Sequence, residues 1–354
     1  MTTPGPAGVT GTLGGAAGGP VSTVIPIEDE SSVGAARRSA AALSALAGLG
    51  ETERGAFAVI VTEAATNLAR HARDGVVVLR VVGNPPAAGV ELLALDKSPG
   101  IGDIDRALSD GYSTTGTPGH GLGAMRRMAS EFDIYSSPDC GTALLARVWP
   151  ASMGQHQTTG GFVDGVICVP LAGEWQCGDG WSLARTRDGV QAAVVDGLGH
   201  GAEAARAADE ALRIVRECQG CAPARVIEAA HGPLRATRGA AIAVAEIASS
   251  GRQLRFAGIG NISGSIISGD GARSLASHNG TAGVALRSVH EFTYPWPADA
   301  CLVMHSDGIL TRARVDAYPG LATHHPALVA GILFRDFYRG RDDATVLALR
   351  ELRD

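Results

Sequence analysis

The sequence predicts an α+β protein of two unlike halves, and three observations predict it. Residues 21 to 150 open with two helix-forming stretches and continue in neighbouring strand patterns. Beyond residue 160 short strand patterns dominate, with one helical pair inserted, as expected for a β-sandwich covered by helices. Between the two, PASMGQHQTTGG (150–161) has no periodicity and many small polar residues, which marks a boundary and sets a linker over 151–160.

The elements follow in order. Residues 1–20 are half glycine and proline and cannot bury enough apolar surface to offset their ordering entropy, so they are expected to be a disordered tail. STVIPI suggests a short strand, and SSVGAARRSAAALSALAGL suits a helix through its alanine and leucine content. A second helix is expected from about Glu51 to Ala72. VVVLRVV (76–82) and VELLALD (90–96) are strands joined by the turn GNPPAAG. GLGAMRRMASEF is a helix, and FDIYSS with TALLARVW forms a closing hairpin. In the second half FVDGVICVPL, WSLARTR, VQAAVVD, AIAVAEIA, QLRFAGIG, ISGSIIS, CLVMHSD and ATVLALRE are strands, and EAARAADEALRIVRECQ and PARVIEAAHGPLRA are the helices between them.

Composition narrows the function classes. A chain of 354 residues that is 45% hydrophobic can pack two cores. Its net charge of −6 offers no basic face for a nucleic-acid backbone. No apolar run approaches the roughly 18 residues of a membrane span, and the first basic residue is Arg37, so no membrane partner is expected and a cytoplasmic location is. Six cysteines show no disulfide framework; Cys218 and Cys221 form a lone CxxC without ligand histidines nearby, better explained by thiols at a helix end than by zinc.

Two glycine motifs look like near-reversals, GHGLGA (119–124) and GLGHGA (197–202), and their flanks separate them. The first follows a polar run and opens a helix, where free N–H groups favour phosphate oxygens; no preceding strand or βαβ unit supports a dinucleotide fingerprint. Upstream, Glu63, Asn67 and His71 in TEAATNLARH share one helix face, either a solvent-facing stripe or a site. Asp96 ends an apolar strand and precedes the glycine turn KSPGIGD, and Gly141 and Thr142 start the last strand.

This order of motifs over residues 21–150 resembles the GHKL ATP-binding fold, and DGYSTTGTPGHGLGAMRRMASEFDIYSS resembles the small serine kinases of bacterial stressosomes. The resemblance implies a two-layer α/β sandwich, a mixed sheet with helices on one face, that binds Mg-ATP. Asn67 would carry the magnesium, Asp96 would accept the adenine amino group, Gly100, Gly119, Gly121, Gly123 and Thr142 would line the nucleotide, and Glu63 would be the base for an incoming serine hydroxyl. Ser98 stands where the family usually has glycine.

The second motif follows an apolar strand and Asp196, so a carboxylate and a backbone carbonyl face one ligand. Asp179, Asp307 and the pair Asp342 and Asp343 lie in similar strand-edge settings. Singly such aspartates are common turn formers; as a set they suit magnesium or manganese rather than zinc. His200 beside them is better explained as a structural turn residue.

GDGW, VVDGLGHGAEAA, FAGIGN, HSDGI and DDATVLALR resemble, in that order, the PP2C-type phosphatases of the SpoIIE-like branch over residues 161–354. That resemblance implies an αββα sandwich and two Mn²⁺ or Mg²⁺ ions held by Asp179, Asp196, Gly197 through its carbonyl, Asp307 and Asp342, with Asp196 and Asp307 at the chemistry. Together the halves imply a bifunctional regulator in a bacterial partner-switching pathway. It would act on serine or threonine of STAS-domain regulators or anti-sigma antagonists. The alternative is a phosphatase alone, its first half an ATP-sensing or protein-binding module.

Overall fold

The computed structural model describes residues 19–83, 87–108, 121–153 and 158–352. In the first half β1 (Thr23–Pro26), α1 (Glu30–Leu46), α2 (Glu51–His71), β2 (Val76–Val82) and β3 (Gly89–Asp96) lead through α3 (Ile104–Leu108) and α4 (Gly121–Met128) to β4 (Glu131–Ser137) and β5 (Gly141–Val148). Helix α1 begins where Asp29 accepts from the Ser32 N–H at 3.0 Å in a capping box. The strands form one sheet in the order β1-β2-β3-β5-β4. Every pairing is antiparallel, a correction to the mixed sheet that the resemblance implied. Direction explains it: the pair α1 and α2 returns the chain to the end it left, β2–β3 and β4–β5 are hairpins, and β5 inserts between β3 and β4, so the two strands that α3 and α4 connect do not pair.

Alternation along the strands shows why both faces of this sheet are buried. Val77, Leu79 and Val81 of β2 and Val90, Leu92 and Ala94 of β3 pack under Ala36, Ala40, Phe57, Ile60, Val61 and Ala64 of the two helices. The intervening Val78, Leu93, Leu95 and Leu145 face the other way, into a core shared with the second half.

That half comprises β6 (Phe162–Val169), β7 (Asp179–Thr186), β8 (Gly189–Gly197), α5 (Ala202–Glu217), α6 (Pro223–Leu234), β9 (Ala240–Ala248), β10 (Gln253–Ile259), β11 (Ser263–Ser268), β12 (Gly271–Leu275), β13 (Phe292–Pro295), β14 (Cys301–His305), α7 (Pro326–Phe337) and β15 (Ala344–Glu351). Two antiparallel sheets, β13-β10-β9-β8-β7 and β12-β11-β14-β15-β6, enclose a core around Phe162, Phe256, Leu302 and Leu347. Helices α5 and α6 cover the outer face of the first, and α7 covers the second, which completes the αββα sandwich. Gly165 lets α7 lie directly on β6, because a Cβ there would fall 2.1 Å from the Ala327 nitrogen.

Helix α7 is therefore packed on both sides, against β6 and β15 of its own half and against β3 and β5 of the first. Beside it lies a buried ionic network. Glu91 accepts from Arg80 Nε at 2.6 Å and Arg147 Nε at 2.7 Å, Arg147 also reaches Glu131, and Asp164 of β6 accepts from Arg80 at 3.1 Å. Gly19 and Pro20, assigned by composition to the disordered tail, are instead hydrogen-bonded to Trp181: the Gly19 N–H donates to its carbonyl and its indole N–H donates to the Pro20 carbonyl. The rest of that tail lies outside the described residues. No helix among the described residues is long and apolar enough to cross a membrane.

Candidate active sites

The first site forms where α2, α4 and the ends of β3 and β5 meet. Glu63 and Asn67 point from α2 toward the start of α4: a Cβ on Gly121 would lie 3.4 Å from Glu63 Oε2 and 3.5 Å from Asn67 Nδ2. Met125, one turn on, anchors α4 in the core. Opposite, Asp96 is buried at the end of β3 and pairs in register with Thr142. The Asp96 carboxylate accepts from the Ser98 N–H at 2.7 Å, and Thr142 Oγ1 lies 3.0 Å from Ser136 Oγ, which also accepts from the Ile101 N–H. Gly100 and Gly141 both have positive φ; a Cβ on Gly141 would fall 2.0 Å from the Asp96 carbonyl oxygen. The structure thus brings Glu63, Asn67, Gly121 and Gly123 to one wall and Asp96, Gly100 and Thr142 to another. Gly119 lies outside the described residues.

Ser98, the departure from family glycine, has a visible role. Its hydroxyl accepts from the Arg73 N–H at 3.0 Å and donates to the His71 carbonyl at 3.3 Å, tying the loop after Asp96 to the end of α2. His71 itself is exposed.

The second site lies at one end of the sandwich. Asp179 of β7 and Asp196 of β8 are register partners and so project to the same face. Asp307 follows β14, and its turn abuts the loop of Asp342 and Asp343, since a Cβ on Gly308 would overlap the Asp343 carbonyl. Burial, then the charges of Asp307 and Asp342, push the Asp196 carboxyl up to about 7. Burial and the neighbouring Asp196 raise Asp179 well above the carboxylate range, although Ser306 Oγ donates to it at 2.5 Å. Burial raises Asp342 as well, with Asp307 adding to it. These groups are short of positive charge and supply hard oxygen donors, the chemistry that a divalent cation fits. Among the described residues no three His, Cys, Asp or Glu side chains close into a ready-made cage, so the cluster is open.

Asp343 separates from its neighbour. Its carboxylate is spent on two backbone donors, Leu171 at 2.8 Å and Gly178 at 2.9 Å, which fasten the loop before Asp179. His200 is half exposed and pairs with Glu174 at 2.7 Å on the rim.

With this geometry in view, the comparisons with known proteins divide along the same line. Residues 25–148 match the histidine kinase-like ATPase domain, and residues 186–351 match the Stage II sporulation protein E family, SpoIIE. The serine/threonine-protein kinase RsbT of Bacillus subtilis is 31% identical over 102 residues, 29% of this chain and 77% of the relative. The chain joins an RsbT-family kinase-like domain to a SpoIIE-family PP2C phosphatase domain. A solved structure from the bacterial stressosome, described as a modular system adapted to control secondary messenger signaling, is 26% identical, with a TM-score of 0.51 over 53% of this chain and 99% of that one. The PP2C domain with a regulatory fragment of SpoIIE from Bacillus subtilis is 17% identical, with a TM-score of 0.44 over 77% of this chain and 82% of that one.

Residue-type reasoning missed two groups in the phosphatase half. Asn261 closes FAGIGN and donates to Asp307 at 2.8 Å while facing Asp196, so it spaces two of the carboxylates. Ser306 precedes Asp307 and links Asp179 to the Thr345 N–H, joining both sheets beneath the site. Their positions inside already suspicious motifs, GIGN and HSDG, were the available signal.

Proposed function

We propose that the phosphatase half removes phosphate from phosphoserine or phosphothreonine of STAS-domain regulators, and that the kinase-like half transfers phosphate from ATP to serine in the same class of protein. The observation that carries the first part is the placing of Asp196 beside its register partner Asp179 at the end of the sandwich, with Asp307 and Asp342 close enough for their charges to raise its carboxyl. Asp179, Asp196, Asp307, Asp342 and the Gly197 carbonyl would hold manganese or magnesium. When bound, such ions neutralise phosphoryl oxygens and acidify water. The chain's own contribution is to hold the carboxylates: Asn261 fixes Asp307, Ser306 fixes Asp179, and Asp343 closes the loop between β6 and β7.

For the other half, Asn67 would carry the magnesium of the nucleotide, Asp96 would accept the adenine amino group, and Glu63 would take the serine proton, because phosphoryl transfer needs mainly positioning, a metal and one proton acceptor. What supports this is the convergence of Glu63 and Asn67 on the Gly121 backbone. The test is phosphate release from a phosphoserine-bearing STAS regulator with manganese, run beside transfer of labelled γ-phosphate to the unphosphorylated form. Asp196→Asn should abolish only release, and Asn67→Ala only transfer. Equal loss of both activities in either variant refutes independent sites. Unchanged signalling in Glu63→Gln would leave the first half a binding or sensing module.

A further inference from the structure

Helix α7 belongs to the phosphatase half, yet Arg335 in its last turn forms part of the wall behind the nucleotide pocket. The side chain is 4% exposed. Its Nη1 donates to the Asp96 carbonyl at 2.5 Å and its Nη2 to the Cys140 carbonyl at 2.7 Å. Asp336 balances the charge through Nε at 3.0 Å and Nη2 at 2.6 Å, and is itself held by the Tyr318 hydroxyl at 2.7 Å.

The two carbonyls are strategic. One belongs to Asp96; the other immediately precedes Gly141 and Thr142, and Asp96 and Thr142 are register partners across β3 and β5. A single planar fork thus fixes the spacing of both strand ends, with a rigidity that a lysine ammonium on its flexible stem does not have. Gly141 leaves room for it: a Cβ there would stand 2.8 Å from Nη1. Just past Arg335, the Phe337 carbonyl accepts from the Leu310 N–H and the Arg339 N–H donates to the Gly308 carbonyl, so the same helix end also braces the turn of Asp307.

We propose that Arg335 is a positioning residue of the nucleotide site, lent by the phosphatase half, which sets where the Asp96 carboxylate and the Gly141–Thr142 backbone stand toward an adenine base. This rests on the nucleotide reading of the pocket. The test uses the full chain and two probes, ATP and inosine triphosphate, which carries a keto oxygen where adenine has its amino group. The unaltered chain should prefer ATP. In Arg335→Met the ATP affinity should fall about tenfold, the scale of a lost charge-assisted hydrogen bond, while that for inosine triphosphate falls less, so that the preference collapses. Arg335→Lys, which keeps the charge but loses the planar fork, should lie between. An unaltered ATP affinity, or an equal loss for both nucleotides, overturns the positioning role. Should Arg335→Met fail to fold, an unchanged ATP preference in Arg335→Lys overturns it. Absence of nucleotide binding by the unaltered chain refutes the nucleotide reading itself, and the proposal with it.

Discussion

Replacing Glu91 by glutamine removes one negative charge from the centre of the network that joins the two halves. Burial opposes the Glu91 carboxylate, but Arg80 and Arg147 outweigh it and hold it ionised below its usual range. All three side chains are at most 2% exposed. A glutamine amide keeps one acceptor and turns its NH₂ donors toward a guanidinium, so one arginine loses its partner. Breaking a buried pair costs about 3–5 kcal/mol. Asp164 still reaches Arg80 and Glu131 still reaches Arg147, which places the cost near the lower end, about 3 kcal/mol. For 354 residues the unfolding entropy is about 0.7 kcal/mol per degree, so Tm should fall by about 4 °C. The assay is built in. Trp149 donates to Glu131 at 2.8 Å and Trp181 lies 5.8 Å from the Arg80 guanidinium, so intrinsic fluorescence follows the network during unfolding. Because the core around α7 is shared, both halves should unfold in one transition. A Tm loss below 1 °C, or two separate transitions in the unaltered chain, would refute the reasoning.

The same network predicts an acid response. Burial would raise Glu131, but the His325 ring at 3.6 Å, the Arg147 charge and the Trp149 N–H hold it at about 2, below its unfolded value near 4.3. Its stabilisation is therefore complete above about pH 4.3 and lost as pH falls toward 2, so urea midpoints should drop over that window and less steeply in Glu131→Gln. A flat profile would count against the network. Gly141→Ala forces a side chain into φ +77 and onto the Asp96 carbonyl; it should cost at least about 2 kcal/mol and weaken ATP binding, and a neutral effect in both calorimetric readouts would sink the close-approach argument. Trp175 is 71% exposed on the loop that Asp343 fastens beside Asp179. Trp175→Ala should raise KM for a phosphoprotein about tenfold and leave p-nitrophenyl phosphate turnover unchanged, whereas equal effects on both substrates would make the tryptophan structural.

What the sequence revealed, and what it concealed, follows from how each element is buried. Helices α1 and α2 were legible because each has one buried face, and the strands VVVLRVV and VELLALD because a nearly continuous apolar run, broken only by the paired Arg80 and Glu91, is what a sheet covered on both faces requires. Helix α7 was not. PALVAGILFRDF is apolar all round, since β6 and β15 take one side and β3 and β5 the other, and a helix without a polar face carries no 3.6-residue signal. The same cause hid Arg335: in the sequence it is one arginine among 29, at the end of a segment that showed no helix, and its two acceptors lie about 200 residues away. Asp196, Asp307 and Asp342 were legible as a set because each lies at a strand edge beside a glycine or within an acidic pair, whereas Asp342 and Asp343 could not be separated without knowing that Leu171 and Gly178 consume one of them. Short-range pattern therefore marks where each half does its chemistry. The contacts that fasten one half to the other are non-local, carried by side chains whose partners no spacing rule connects; the end of α7 hydrogen-bonds both to the Asp96 and Cys140 carbonyls and to the turn of Asp307.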